Sequence, residues 1–300
     1  MYWSNGQLFE SNEITLTIDD PGLLYGATVF TTLRVWQESL DHPLSFWQEH
    51  CDRLHHSVQS FGWTQPNWPQ LRQGAETIAH HYPVLRITIF PDGRELITGR
   101  SLPANLQQSQ QDGASAWVAP ADLGRSLPGH KTGNYLACWL AGQQARAHGC
   151  QEAILTDDQG NWLETSTGNL WGWADGCWWT PQLSASASRH PDNKCREILP
   201  GVGRSHLIRL LRWHNIKIKE SKWNSDQVSH FETLLYTNSV RHVVPIAHVL
   251  INRRFVLQTT EIIKSDYSGD EDVKYEKTEV VAYSPHHPQV HLLRGLFRSV

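Results

Sequence analysis

The 300-residue chain has no run of about 18 consecutive apolar residues, so no membrane-spanning helix is expected. Its opening, MYWSNGQLFESNEITL, lacks a basic segment leading into an apolar one, and the expectation is a cytoplasmic protein. There is no basic excess either. A formal net charge of -4 gives the surface no pull on nucleic acid or anionic lipid, which excludes the polyanion-binding classes. Cys51, Cys138, Cys150, Cys177 and Cys195 are scattered and never form a Cys-x-x-Cys pair. Free thiols are therefore expected, rather than a disulfide framework or a zinc knuckle. The seventeen histidines include no His-Glu-x-x-His spacing, and the pairs His55-His56, His80-His81 and His286-His287 are neighbours that point apart on a helix or strand. No metal site is expected. No internal repeat occurs, and the fourteen tryptophans fall without pattern, which assigns them to core and edge packing.

What is present suits two domains of ordinary size. Residues 14–18 and 28–36 are β-rich and flank an Asp-Asp-Pro-Gly turn, predicting strand, turn, strand. Phe46, His50, Leu54 and Val58 recur near helical spacing up to Gly62, and WPQLRQGAETIAHHY predicts a second helix. VLRITIFPDGRELITG reads as two strands, Arg86 to Phe90 and Arg94 to Thr98, around a Pro-Asp-Gly turn. Residues 1–120, closing on the strand SAWVAPA, thus predict a small N-terminal α+β domain. DLGRSLPG, within 121–129, predicts an interdomain linker. Residues 130–300 predict a larger domain. It holds a helix from Asn134 with Leu136, Trp139, Leu140 and Gln143 near one face, and hairpins turning at Asp158 to Gly160 and at Asp175-Gly176. A helix entered through LPGVGR and a strand pair in TLLYTNSVRHVVPI follow, and a charge-dense stretch at about 258–283 predicts an exposed surface hairpin.

Four features carry chemistry. Lys131 stands between Gly129 and Gly133 just before a helix, where the backbone can bend and aim an amine inward; by itself it also reads as a solvated loop lysine. Glu164 closes the strand NWLE ahead of Thr165, Ser166, Thr167, Gly168 and Asn169, a carboxylate able to bond a heterocycle nitrogen beside a small polar loop. Gly201 and Gly203 precede a helix, so free amides and the helix dipole converge where a phosphate fits. Arg53 sits at the margin of the first helix, within reach of a bidentate phosphate contact. Lysine for an imine, acid for the ring nitrogen, and helix start with arginine for the phosphate together match what pyridoxal 5'-phosphate requires.

With those motifs in order, the chain resembles the class IV aminotransferases, the fold-type IV pyridoxal phosphate enzymes. The similarity runs through LLYGATVFTTLRV, EHCDRLHHS, HKTGNYL, EAILTDDQGNWLETSTGNLW, ILPGVGR, YTNSVRHVVPI and HPQVHLLRGLF, nearly the whole chain outside about 258–283. The resemblance implies a mixed α+β and α/β, two-domain architecture, with a small N-terminal domain and a larger, β-barrel-like C-terminal one. It implies Lys131 as the Schiff-base lysine and Glu164 as partner of the pyridine nitrogen. Arg53, the amides of Val202 and Gly203, and Ser239 hold the phosphate in this reading; Tyr135 contacts the phenolic oxygen, and Thr167 and Asn169 lie beneath the ring. Gly203 departs from the threonine of many relatives, leaving only its amide. Strand alternation puts Phe30, Thr32 and Arg34 on one face, which in the family lines the substrate pocket together with Tyr25. Arg34, and after it Arg94 or Arg100, is the candidate for a substrate carboxylate.

The family contains branched-chain aminotransferases, D-amino acid aminotransferases and 4-amino-4-deoxychorismate lyases. FTTLRV and the Thr237 to Ser239 run look like the lyases, whereas KTGNY looks like the transaminases. The expectation is a lyase giving p-aminobenzoate for folate synthesis, with Thr32 orienting the departing group. A transaminase and a non-catalytic cofactor-binding relative are the alternatives. The family also implies a homodimer.

Overall fold

The computed structural model describes residues 1–183, 198–256 and 274–299. β1 (Tyr2–Ser4) and β2 (Gln7–Phe9) form a hairpin, and α1 (Pro21–Tyr25) is one turn whose Asp20 cap accepts from the Gly22 amide. β3 (Val29–Arg34), α2 (Trp47–Ser60), α3 (Trp68–Ala79), β4 (Val84–Ile89) and β5 (Glu95–Arg100) follow. The five strands make an antiparallel sheet in the order β2-β1-β5-β4-β3. Its apolar face, with Leu33, Leu85, Ile87 and Ile97, packs on Leu54 and Val58 of α2 and Leu71 and Ile78 of α3. Burial of these side chains drives the assembly, each contributing about 1.5–3 kcal/mol.

α4 (Leu106–Asp112), β6 (Ala114–Val118), α5 (Leu136–Ala147), β7 (Glu152–Thr156), β8 (Trp162–Thr165), β9 (Asn169–Ala174) and β10 (Cys177–Pro181) lead into the second unit. It is completed by α6 (Val202–Trp213), β11 (Ile218–Ser221), α7 (Ser225–Ser229), β12 (Thr233–Asn238), β13 (His242–Val256), β14 (Lys274–Ala282) and α8 (Pro288–Arg298). The nine strands run β11-β10-β9-β12-β13-β6-β7-β8, with β14 also on β13. A short connection from β8 to β9, closed by Thr165 N donating to Gly168 O, brings one end of the sheet back toward its middle. The sheet therefore curls into a half-barrel. Trp171, Trp178 and Trp223 are fully buried in its cores, the packing role expected of scattered tryptophans. No helix among the described residues is long and apolar enough to cross a membrane.

Three expectations need correction. Residues 14–18 form no strand: they have no ladder partner, and Ile18 is 90% exposed. β-propensity without a neighbouring strand does not make a sheet. β6, expected in the first unit, pairs with β13 and β7, so the first sheet ends at Arg100 and the proposed boundary at 120 falls too late. In α5 the buried face is Cys138, Ala141, Gly142 and Ala145, while Leu136 and Trp139 point outward at 61% and 53% exposure. Small side chains let this helix approach β7 closely, which a count of large apolar residues misses. The charged stretch does form an antiparallel pair with β13 over 274–282, extending the half-barrel; residues 257–273 lie outside the described residues.

Candidate active site

Lys131 is fixed by the end of the first sheet. Phe30 N donates to Lys131 O at 2.8 Å, Gly133 N donates to Thr28 O at 2.7 Å, and Val29 bridges Thr132. Gly133 is obligatory in this crossing, since a Cβ there would lie 2.2 Å from Thr28 Oγ1. Lys131 Nζ thus stands 4.8 Å from the Phe30 ring centroid and 5.2 Å from that of Tyr135. Burial, then the charges of Arg125 and Arg53, hold the amine well below the usual lysine value of 10.5, against a weaker opposing pull from Glu164. Attack on a carbonyl needs the free base. The rate at which Lys131 reacts with a carbonyl reagent, followed by mass spectrometry, is therefore expected to reach its plateau well below pH 10.5. Arg125→Gln removes a cation that disfavours the charged amine, and is expected to move the midpoint upward.

Glu164 is 3% exposed and sits at the centre of a closed set of donors. Arg125 Nε donates to its Oε1 at 2.6 Å, while Asn169 Nδ2 and Leu199 N donate to Oε2, each at 3.3 Å. Burial works against the charge of Arg125, and the Glu164 carboxylate outweighs it, so the guanidinium is held protonated. Tyr135 caps α5, donates its hydroxyl to Ser166 O, and meets Phe30 edge to face at 5.6 Å. Behind the 165–168 loop lies buried Glu152, which accepts from Thr167 Oγ1 at 2.7 Å and Ser166 Oγ at 2.9 Å. Burial pushes the Glu152 carboxyl upward, and these hydroxyls oppose the shift.

At the far end, α6 starts at Val202 behind Gly201, which offers no side chain to cap it. The first-turn amides are therefore free to meet an anion. Gly201 is required by close approach, since a Cβ there would lie 2.0 Å from Asn169 Oδ1. Arg53 Nε is buried with no acceptor, and burial with the Arg125 charge lowers its pKa to about 10. Among the described residues it pairs with no carboxylate. An arginine with an unused buried donor and an uncapped helix start, lining the same cavity, are groups that could hold an anion such as a phosphate.

These groups line one cavity of about 410 Å³. The structure brings together Lys131, Thr32, Glu164, Arg53, Tyr135, Asn169, Val202, Gly203, Ser239, Phe30 and Arg100 on its wall, with Thr167 turned toward Glu152. Three expected residues lie elsewhere. Arg34 runs past the end of β3 and stacks on Trp36 at 4.0 Å. Arg94 sits in the β4–β5 turn, paired with Asp20 and Asp92. Tyr25 is 74% exposed on α1. Sequence reasoning missed Arg86, Arg125 and Glu152, all of which line the cavity. Arg86 was signalled by being the one charge within VLRITI, and Glu152 by opening the fully buried strand EAILT. Arg125, in the Gly- and Pro-rich linker, carried no local signal.

The sequence model of the family described as amino-transferase class IV matches residues 28–249. The branched-chain-amino-acid aminotransferase of Escherichia coli (strain K12) is 24% identical over 271 residues, covering 82% of this chain and 84% of the relative. The aminodeoxychorismate lyase of Vibrio harveyi is 22% identical over 266 residues, covering 83% and 91%. A solved hypothetical aminotransferase from Mycobacterium tuberculosis, in a PLP-bound form, shares the fold with a TM-score of 0.68 at 19% identity, over 83% of this chain and 90% of that one.

Proposed function

The chain belongs to the amino-transferase class IV family, and from that premise we propose that it is a pyridoxal phosphate-dependent 4-amino-4-deoxychorismate lyase, releasing pyruvate and p-aminobenzoate. The site residues fit the cofactor. Arg53 with its unused Nε, the uncapped α6 amides of Val202 and Gly203, and Ser239 hold the phosphate. Glu164 holds the ring nitrogen, Tyr135 and Asn169 flank the ring, and the neutral amine of Lys131 is the attachment point. When bound, the cofactor supplies an electron sink for the carbon that bears the substrate's amine. Lys131 takes the proton from that carbon as general base. The bond from the ring to the enolpyruvyl oxygen then breaks as the carbocycle aromatises. Thr32, on the cavity wall, gives the departing oxygen a proton that Lys131 replenishes.

The observation that carries the lyase reading is the unspent positive charge of the cavity. Arg86 lies opposite Thr32 in register, with its guanidinium 3.5 Å from the Phe30 ring centroid and no carboxylate partner among the described residues. Arg100 and Arg146 share the wall, and the two lining carboxylates, Glu152 and Glu164, are already occupied. A branched aliphatic side chain needs an apolar slot. A substrate with carboxylates at both ends needs these arginines. Arg86→Gln is expected to raise KM for 4-amino-4-deoxychorismate by about 10- to 100-fold, the worth of one charged hydrogen bond, with a smaller change in kcat.

Incubation with 4-amino-4-deoxychorismate, and separately with leucine, D-alanine or glutamate plus the partner oxo acid, tests the reading. Pyruvate and p-aminobenzoate from 4-amino-4-deoxychorismate without amino transfer support it; transfer from leucine or D-alanine to the oxo acid, with no p-aminobenzoate from 4-amino-4-deoxychorismate, favours the transaminase. We place the enzyme in the cytoplasm as a homodimer. Its described cysteines are free, and Ile18, Leu23, Leu24 and Tyr25 form an exposed apolar surface suited to a second copy.

A further inference from the structure

Arg53 meets the phosphate in the reading above, yet nothing there explains how a guanidinium without a carboxylate partner is aimed. Its Nη2 donates to Thr31 Oγ1 at 2.6 Å, and the same oxygen lies 2.5 Å from His50 Nδ1. Thr31 and His50 are both fully enclosed, at 0% exposure. Thr31 faces away from the cavity, on the side of β3 opposite Phe30 and Thr32, so neither residue touches what the cavity holds.

A threonine hydroxyl has one proton and two acceptor lone pairs, and arginine only donates. Oγ1 therefore accepts from Arg53 and either donates to an unprotonated His50 Nδ1 or accepts from its N–H. A neutral imidazole serves in both arrangements, and its Nε2 has no partner among the described residues. Burial, with the charges of Arg53 and Lys131, independently holds His50 well below its usual value and favours the same state.

We propose that Thr31 and His50 form a neutral relay that aims Arg53 at the cofactor phosphate while leaving its positive charge unspent. A carboxylate in Thr31's place would orient the guanidinium but neutralise it. An apolar side chain would leave the charge and lose the aim. Thr31 and His50 are positioning residues, acting on the phosphate through Arg53.

The inference rests on the assignment of Arg53 to the phosphate, and the test separates the two. Full-length protein freed of cofactor is titrated with pyridoxal 5'-phosphate and with pyridoxal, which lacks the phosphate. Thr31→Val is expected to weaken pyridoxal 5'-phosphate about tenfold and leave pyridoxal unchanged, with Thr31→Ser close to the parent. His50→Asn, whose side-chain amide can accept from or donate to Thr31 Oγ1, is expected to retain the preference for the phosphorylated form. His50→Leu is expected to lose it as Thr31→Val does. Should Thr31→Val not fold, the two His50 variants carry the comparison. Equal weakening of both ligands by Thr31→Val or His50→Leu, or no weakening of either, overturns the relay. If Arg53→Gln lowers the preference and these variants do not, only the relay fails. If Arg53→Gln leaves the preference intact, the phosphate assignment fails and the relay with it.

Discussion

Replacing Lys131 by alanine is expected to reduce turnover on the order of 10⁴-fold, and to remove the visible absorbance of the lysine-bound cofactor. General acid–base work by a positioned group accounts for about 10²–10⁴ in rate, and here the same amine also holds the cofactor. The phosphate end does not depend on it: Arg53, the Val202 and Gly203 amides and Ser239 all come from other elements. Cofactor therefore still binds the variant, more weakly and without the covalent link, and dialysis removes it. Lys131→Arg is expected to behave like the alanine variant, because a guanidinium stays protonated and cannot attack a carbonyl. Turnover within tenfold of the parent in either variant contradicts the assignment.

The second large effect concerns Glu164. Its ion pair with Arg125 is enclosed on both sides, with side chains 3% and 8% exposed, so screening by solvent is slight. Removing one member of a buried pair typically costs about 3–5 kcal/mol, because the other charge is left without compensation. Glu164→Ala is thus expected to lower Tm by several degrees while cutting turnover by about 10²–10³-fold, the range for losing a preorganised partner of developing charge. The double variant Glu164→Ala, Arg125→Ala separates the effects. It is expected to recover most of the stability, since no buried cation is left unpaired, and none of the turnover. Thermal unfolding and steady-state rates of the three proteins check this; a double variant as unstable as the single one shows that the ion pair does not carry the loss.

Much of this site was legible because its signals are local. Lys131, Glu164 and the Gly201 to Gly203 helix entry each announce themselves within a few residues, through glycine placement and a carboxylate at a strand end. Alternation along β3 puts Phe30 and Thr32 on one face, and both line the cavity, but alternation does not say where the cavity stops. Arg34 lies at the strand's end, where its guanidinium finds the face of Trp36 instead. The sequence pattern places Arg94 at the start of a strand, yet it occupies the turn and is held by Asp20, 74 positions earlier. Arg86 enters the site only because β4 pairs with β3 in the register that sets it opposite Thr32, a nonlocal fact. Arg125 reaches Glu164 across 39 positions from the irregular stretch that follows the 3-10 turn Ala121–Leu123. The outward apolar face of α5 has the same origin: contact with β6 and β7 selects small side chains for the inner face, a condition set by the sheet.

The lyase reading is tested most directly by counting p-aminobenzoate formed per active site from 4-amino-4-deoxychorismate, with no oxo acid added. Elimination returns the cofactor to its starting form, so product is expected to exceed the number of sites many times over, with pyruvate in equal amount. No p-aminobenzoate, with the reaction stopping after one substrate per site and the substrate's amine left on the cofactor, would contradict it.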